Sequence, residues 1–582
     1  MVNVKNLFGM AVMATALVGC SSNDNLAPDG KDNAGKAGEA YASFTINLPT
    51  TTGTGTRGDG DPAPTPADGT PSFAEGTAAE YEVKNGTILI FDASTDKFVT
   101  SAELGTMNPW TKKTDENGVT TAAIATVKLS NVTVGGNYKA LVLLNNYNGD
   151  TSNKKVTLPT DAETYAAWSK DPSKVIVANY EKSTNGIFMA NAPEYKSASD
   201  QPTLVDVKNV CASREEAQAK PATTVYVERG LAKVTMQNFE TDGYTVADGT
   251  YKDATVKIEN WKLDVTNTKT FPVHQIGGLT TVYAGIWSNE RFYDTNANST
   301  FKRVYWGVDP NYDKADFQIL ENCKTEFNMI AKGNVDGLAG ADKPQYCLEN
   351  TFNLGNMKQG QTTRVVFKAV FTPKDFVTGQ TFYKIGNNTA IWDATKLAQQ
   401  IKTLAINAMK ITNSTEQEKY DVKLDATTNN ISGEAGQHII ETANITFSDE
   451  TGTYTSKINE NVIKEVNEKL GLSEDPTTHK VIVGISTYLN GEAYYIARIK
   501  HFNELTPWNA GEAYDSNNEK YLGRYGVLRN NWYNLSVTSI SGLGYPDVPE
   551  VKPTLPDDEN DQYVNVEVKI LSWAKRSQQI KL

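Results

Sequence analysis

Two positions carry side chains placed for covalent modification. Cys20 follows an apolar run that starts at Leu7 and ends in the small residues before it. Its thiol is a nucleophile in the thiolate form, set where a secretory signal would end. Arg57 is the only basic residue of "TTTGTGTRGDGDPAPTPADGTPS" (50–72), a stretch of Gly, Thr, Pro and Asp with hardly an apolar side chain. A protease needs an extended, exposed segment, and such a loop supplies one at the Arg57–Gly58 bond.

Other chemistry is poorly represented. The four histidines, His274, His438, His479 and His501, are scattered without metal-ligand spacing and read as surface or turn residues. No GxSxG, P-loop or paired Cys/His arrangement occurs, so no catalytic role is expected and no metal or other cofactor is implied. "PDDENDQ" lacks the ordered spacing of a calcium loop and reads as a solvated acidic tether. Arg57-Gly58-Asp59 spells a three-residue integrin signal, which a cut after Arg57 destroys. Net charge is -13 with no long basic cluster, which argues against nucleic acid.

The elements around these positions are mostly strands. The first 20 residues have Lys5 ahead of an apolar run too short to span a membrane, and Leu17-Val18-Gly19-Cys20 resembles a bacterial lipobox. Residues 21–57 hold a polar spacer and then "AYASFTINLP". There Ala42, Phe44, Ile46 and Leu48 alternate with polar or larger residues, which predicts one strand with one apolar face. Short runs such as "GTILIFD", "YKALVLLNN", "TTRVVFKAVF" and "WYNLSVTSI", separated by Asn, Gly and Asp, predict a mainly β fold of sandwich layers. The long run Val225–Met236 could leave one sandwich and enter the next, which divides the chain into 58–224 and 225–545. Two amphipathic helices are expected in "DATKLAQQIKTLAINAMK" and "NENVIKEVNEKLGL". Cys211, Cys323 and Cys347 make no complete disulfide framework and read as buried small hydrophobes, although a Cys323–Cys347 bridge is possible.

Residues 546–582 raise a question of their own. A run with four prolines leads into "YVNVEVKILSWAKRSQQIKL", where Val564, Val566, Val568 and Ile570 alternate and Ile580 and Leu582 follow on a weaker pattern. A sticky strand on a loose tether invites aggregation unless it has a destination. One cut at Arg57 would release the first strand and open a groove, and the last strand could fill such a groove in a second copy. Burying each Val or Ile there is worth about 1.5–3 kcal/mol. Strand addition of this head-to-tail kind need not close, so it gives filaments. The alternative is that both terminal strands pair within their own chain.

"VYVERGLAKV", "YCLENTFN", "GQTTRVVFKAVF", "LRNNWYNLSVTSISGLGYP" and the ending "YVNVEVKILSW" occur in an order that resembles the fimbrillins. These are the type V pilins of anaerobic Gram-negative bacteria, and the nearest likeness is to the Mfa-type major subunits of short fimbriae. The resemblance implies two transthyretin-like β-sandwich domains with a few packed helices. It implies a lipoprotein precursor, lipidated at Cys20, exported through the periplasm to the outer membrane. It further implies an Arg-specific protease cutting at Arg57–Gly58, removal of the Ala42–Leu48 strand, and a donor strand in Tyr563–Leu582. The implied partners are copies of the chain placed head to tail and the anchor and tip subunits of a fimbria. A second class, a surface lipoprotein that binds glycans, would want exposed aromatic platforms, and Trp110, Trp306, Trp392 and Trp508 stand in loop-like contexts.

Overall fold

Runs rich in Val, Ile and Thr extend because branched side chains pack well on a pleated surface and lose rotamer freedom in helices. The computed structural model describes residues 38–48, 80–557 and 564–572, apart from 81, 106–110, 116–117, 183–184, 238, 277–291, 294–300, 313–315, 332–342, 425–436, 448–456 and 502–520. Over these residues the protein is mainly β, with several sheets and a few helices. Cys20, Arg57, Gly58, Ile580 and Leu582 lie outside the described residues, as do Trp110 and Trp508.

The first sheet takes nine strands: β1 (Glu39–Leu48), β2 (Gly86–Asp92), β3 (Phe98–Glu103), β4 (Thr111–Asp115), β5 (Gly118–Ser130), β6 (Tyr138–Leu144), β7 (Met189–Asn191), β8 (Val205–Asp206) and β9 (Thr223–Arg229). Their order is β3-β2-β6-β7-β9-β1-β5-β4, with β8 also beside β6. The sheet curls until Thr100 of β3 hydrogen-bonds Ser130 of β5 at 2.9 Å. Phe44, Ile46, Ile88, Val127, Val142 and Val225 fill the space enclosed. The other face of β2 and β6 packs on Trp168, Tyr180 and Phe188, which is why "GTILIFD" is apolar throughout instead of alternating.

After Gly230 the same run continues as β10 (Leu231–Met236) in a different sheet. That sheet is ordered Gln345–Leu348, β10, Asn531–Ile540, Val564–Ser572. Facing it is a second four-stranded sheet of Tyr244–Thr245, Thr255–Asp264, Arg364–Thr372 and Glu492–Arg498. Val234, Trp261, Phe367, Tyr495, Tyr533 and Leu535 from both sheets make the core between them.

Between two antiparallel neighbours of that sheet, Arg364–Thr372 and Glu492–Arg498, the chain runs through residues 373–491, which build a separate core. The two expected helices lie here, as Ala394–Ala408 and Glu460–Leu470. Asp393 caps the first by accepting from the Lys396 N–H, and Gly471 closes the second at φ 74°. Leu397, Ile401 and Val466 are fully buried along their apolar stripes.

Two readings of single residues need correction. Trp306 is no exposed platform: it is fully buried, edge-on to Phe352 at 5.6 Å, and its indole N–H donates to the Phe352 carbonyl. His274 and His501 are no surface residues either, because each Nδ1 meets a buried partner, Glu228 at 2.9 Å and the Tyr533 hydroxyl at 2.8 Å. Cys211, Cys323 and Cys347 are buried free thiols, so the possible Cys323–Cys347 bridge is not formed.

Candidate functional site

β1 occupies the interior of its sheet. Along its whole length it pairs antiparallel with β5, from Glu39 opposite Ser130 to Leu48 opposite Thr121. On its other edge, Phe44–Asn47 pair parallel with Thr223–Tyr226 of β9. Ala42, Phe44 and Ile46 point into the core and are fully buried, as the alternation predicts. The strand therefore carries two rows of ladder hydrogen bonds and one continuous apolar face. Its departure would leave a slot between β5 and β9 with unpaired backbone on both walls, a state that costs free energy for each buried group.

The terminal strand sits differently. Val564–Ser572 pairs antiparallel with Asn531–Ile540, placing Val564 opposite Ile540, Val566 opposite Val537, Val568 opposite Leu535 and Ile570 opposite Tyr533. It is the last strand on that side of its sheet, so one edge of its backbone has no ladder partner among the described residues. The strand that seemed to lack a place thus has one in its own chain, at an edge.

The run before it is docked through Asp557, contrary to the expected loose tether. Prolines donate no hydrogen bond, but their carbonyls accept, and buried arginines supply the donors. Arg364 reaches the Pro549 carbonyl at 2.8 Å while its Nε holds Asp264 at 2.7 Å. Arg498 donates to the Asp557 carbonyl at 3.1 Å, and the Thr362 hydroxyl to the Asp557 carboxylate at 3.0 Å. Val548 and Val551 are buried, and Tyr545 and Tyr494 exchange backbone hydrogen bonds.

Residues 486–579 match the family described as major fimbrial subunit protein type IV, fimbrillin, C-terminal. The match takes in Asn531–Ile540, the docked proline run and the terminal strand. Over this stretch the chain carries the fimbrillin C-terminal pattern. No curated protein matches it in sequence. Solved structures overlay loosely on the chain. A candidate cell adhesion protein of Parabacteroides distasonis is 11% identical, at a TM-score of 0.35, over 93% of this chain and 99% of its own. One of Bacteroides eggerthii is 11% identical, at a TM-score of 0.34, over 94% and 99%. A fimbrial assembly protein of Parabacteroides distasonis is 11% identical, at a TM-score of 0.27, over 61% and 93%.

Where β9 passes into β10 the chain is locked by buried charge, a feature that sequence reading missed because its partners are far apart in the chain. Glu228 joins Arg303 Nε at 2.5 Å and His274 Nδ1 at 2.9 Å. Arg529 Nε holds Glu349 at 2.9 Å. Glu80, the first described residue after the Arg57 loop, is fully buried against Lys233 at 2.6 Å, and its carbonyl accepts from Arg229 at 2.9 Å. Gly230 is required at the crossing, since a Cβ there would lie 1.8 Å from the Tyr180 hydroxyl oxygen.

Burial alone would raise the Glu228 carboxyl, but the charges of Arg303 and His274 outweigh it and bring the group to about 2. An unfolded glutamate takes up its proton at about 4. The stability this group confers is therefore complete above about pH 4 and is lost as pH falls towards about 2. In urea titrations at a series of pH values, Glu228→Gln is expected to flatten the acid limb of the stability curve in that window. An unchanged limb would show that Glu228 is not the group responsible.

Proposed function

We propose that this protein is a stalk subunit of a surface fimbria, polymerising by donor-strand exchange and supporting adhesion and biofilm formation. The observation that carries the reading is the place of β1: an interior strand with an apolar face, joined to the rest of the chain only through the loop that holds Arg57. A single cut after Arg57 converts that strand from a covalent part of the sheet into a bound peptide. The terminal strand, with alternating Val564, Val566, Val568 and Ile570, has the apolar pattern needed to replace it in a neighbouring subunit. The chain would be organised as two transthyretin-like sandwiches meeting near β9, with Glu80 fixing the start of the mature subunit. An exported precursor lipidated at Cys20 would await an Arg-specific protease at the outer membrane. The finished fimbria would join copies head to tail between anchor and tip subunits.

N-terminal sequencing of assembled fibres is expected to begin at Gly58. A start at Cys20 or Ser21 would mean that β1 stays in place. Cys20→Ala is expected to strand the precursor before the outer membrane and leave cells without fibres, scored by electron microscopy with an antibody to the protein. Normal fibres on that mutant would refute lipidation as a step in assembly.

A further inference from the structure

β1 is covered on its outer face as well as its inner one. Its odd-numbered side chains should face away from the core, yet Ser43 is only 7% exposed. The cover is a short segment between Asn209 and Pro221 that contains the helix Arg214–Ala219. Ser43 Oγ donates to the Ala217 carbonyl at 2.9 Å and lies 2.8 Å from Thr126 Oγ1 of β5. Arg214 spans the strand, donating to the Thr126 carbonyl at 2.9 Å, with its guanidinium 5.9 Å from the centre of the Tyr41 ring. The same segment also closes part of the second edge. β9 covers only Phe44–Asn47, and nearer the start of β1 Tyr41 exchanges two backbone hydrogen bonds with Cys211, at 2.9 and 2.8 Å.

The covering segment is built as a unit hinged at its ends. The Asn209 side chain donates to the Pro221 carbonyl at 2.9 Å, which draws the two ends together. Lys208 N–H donates to Thr223 Oγ1 at 2.9 Å, which ties the base to β9. Inside, Ser213 caps the helix by accepting from Glu216 N–H at 3.2 Å, and Glu216 pairs with Lys220 at 2.6 Å. Gly135 N–H also meets the Val210 carbonyl, and the segment's other hydrogen bonds described above reach β1 and Thr126 beside it. Val210, Cys211 and Ala217 are its buried side chains, and releasing it breaks no strand ladder of the sheet it covers.

We infer that the segment Asn209–Pro221 is a gate over β1, and that the strand leaves, or a replacement enters sideways, only after this segment swings away. The inference rests on the reading of β1 as the exchanged strand, but the closure itself is a property of the uncut chain. Arg214 and Ser43 make the side-chain bonds that the gate must break, each worth about fivefold in an opening equilibrium.

The test uses the full chain and two variants, Arg214→Ala and the double variant Arg214→Ala with Ser43→Ala. In hydrogen exchange followed by mass spectrometry, amides of Tyr41–Thr45 and Cys211–Ala219 are expected to exchange about fivefold faster in the first and about tenfold or more in the second. Amides of Arg364–Thr372, remote from the gate, should not change, which separates gate opening from general loss of stability. Equal exchange at Tyr41–Thr45 in wild type and double variant would overturn the gate. The second measurement adds a fluorescent peptide of Tyr563–Leu582 to chain already cut after Arg57. Displacement of the released strand should be about tenfold faster in the double variant. Equal rates would again overturn the gate. Faster amide exchange with no peptide uptake by any chain would leave the gate standing and refute donor-strand exchange.

Discussion

Chains ending at Gln562 are expected to fold as monomers and to form no fibres at all. Among the described residues the terminal strand is laddered to Asn531–Ile540 alone, so its loss leaves that strand still paired with β10. The docked run through Asp557 lies before the cut and keeps its arginine partners. Thermal melting should fall without loss of the cooperative transition, each 1 kcal/mol lost lowering it by about 2–8 °C. Polymerisation should fail completely, because no other strand of this pattern remains to fill a neighbour's slot. Val566→Asp with Val568→Asp is the milder form, placing charge in an apolar groove at a cost of several kcal/mol, roughly 2–7 for even an uncharged polar group. Electron microscopy and hot-detergent gels read the fibres, and circular dichroism reads the monomer. If truncation unfolds the monomer, the strand is indispensable to its own sheet and the exchange reading is wrong.

Arg529→Met is expected to be among the most damaging single changes in the chain. Arg529 and Glu349 are each 1% exposed, and Arg529 also reaches the Thr270 hydroxyl. Removing the guanidinium strands a carboxylate in a site that water does not reach, and breaking a buried pair in this way costs about 3–5 kcal/mol. The urea midpoint should drop accordingly. Adding Glu349→Met should restore most of it, since an apolar pair of similar volume is often as stable as the ion pair it replaces. A double variant no better than Arg529→Met would place the damage in lost packing or in the Thr270 contact instead of in the orphaned charge. Because this pair stands where β9 becomes β10, the fibres of the single variant should also be the first to lose stiffness on warming.

What the sequence made legible was whatever depends on near neighbours in the chain. Alternation through Ala42, Phe44 and Ile46 located a strand and its inner face, and spacing through Leu397 and Ile401 located a helix and its stripe. The outer face of β1 was not legible, because Ser43 is buried by Ala217, a residue 174 positions away with no local pattern to announce it. The run 546–557 was misread for a related reason. Its prolines advertise what they cannot donate, while the run's carbonyls, Pro549 and Asp557 among them, matter only once Arg364 and Arg498 come near. Trp306 and His274 failed in the same way, their settings being supplied by Phe352 and Glu228. The loop that carries Arg57 lies outside the described residues, and its reading as a cutting site rests on composition alone.

The passage of one strand through Gly230 also has a mechanical meaning. In a fibre built as proposed, tension would arrive through the strand held between β5 and β9, and it would leave through the strand that follows Asp557. β9 and β10 are one stretch of backbone, so the load would cross between the two sheets along covalent bonds instead of prying their interface apart. The ladders on either side run across the line of pull, so their hydrogen bonds would be strained together in shear instead of one after another. A filament of such units should resist pulling far better than twisting, and its weakest link under force should be the Glu80, Lys233 and Arg229 cluster that steadies the crossing from the side.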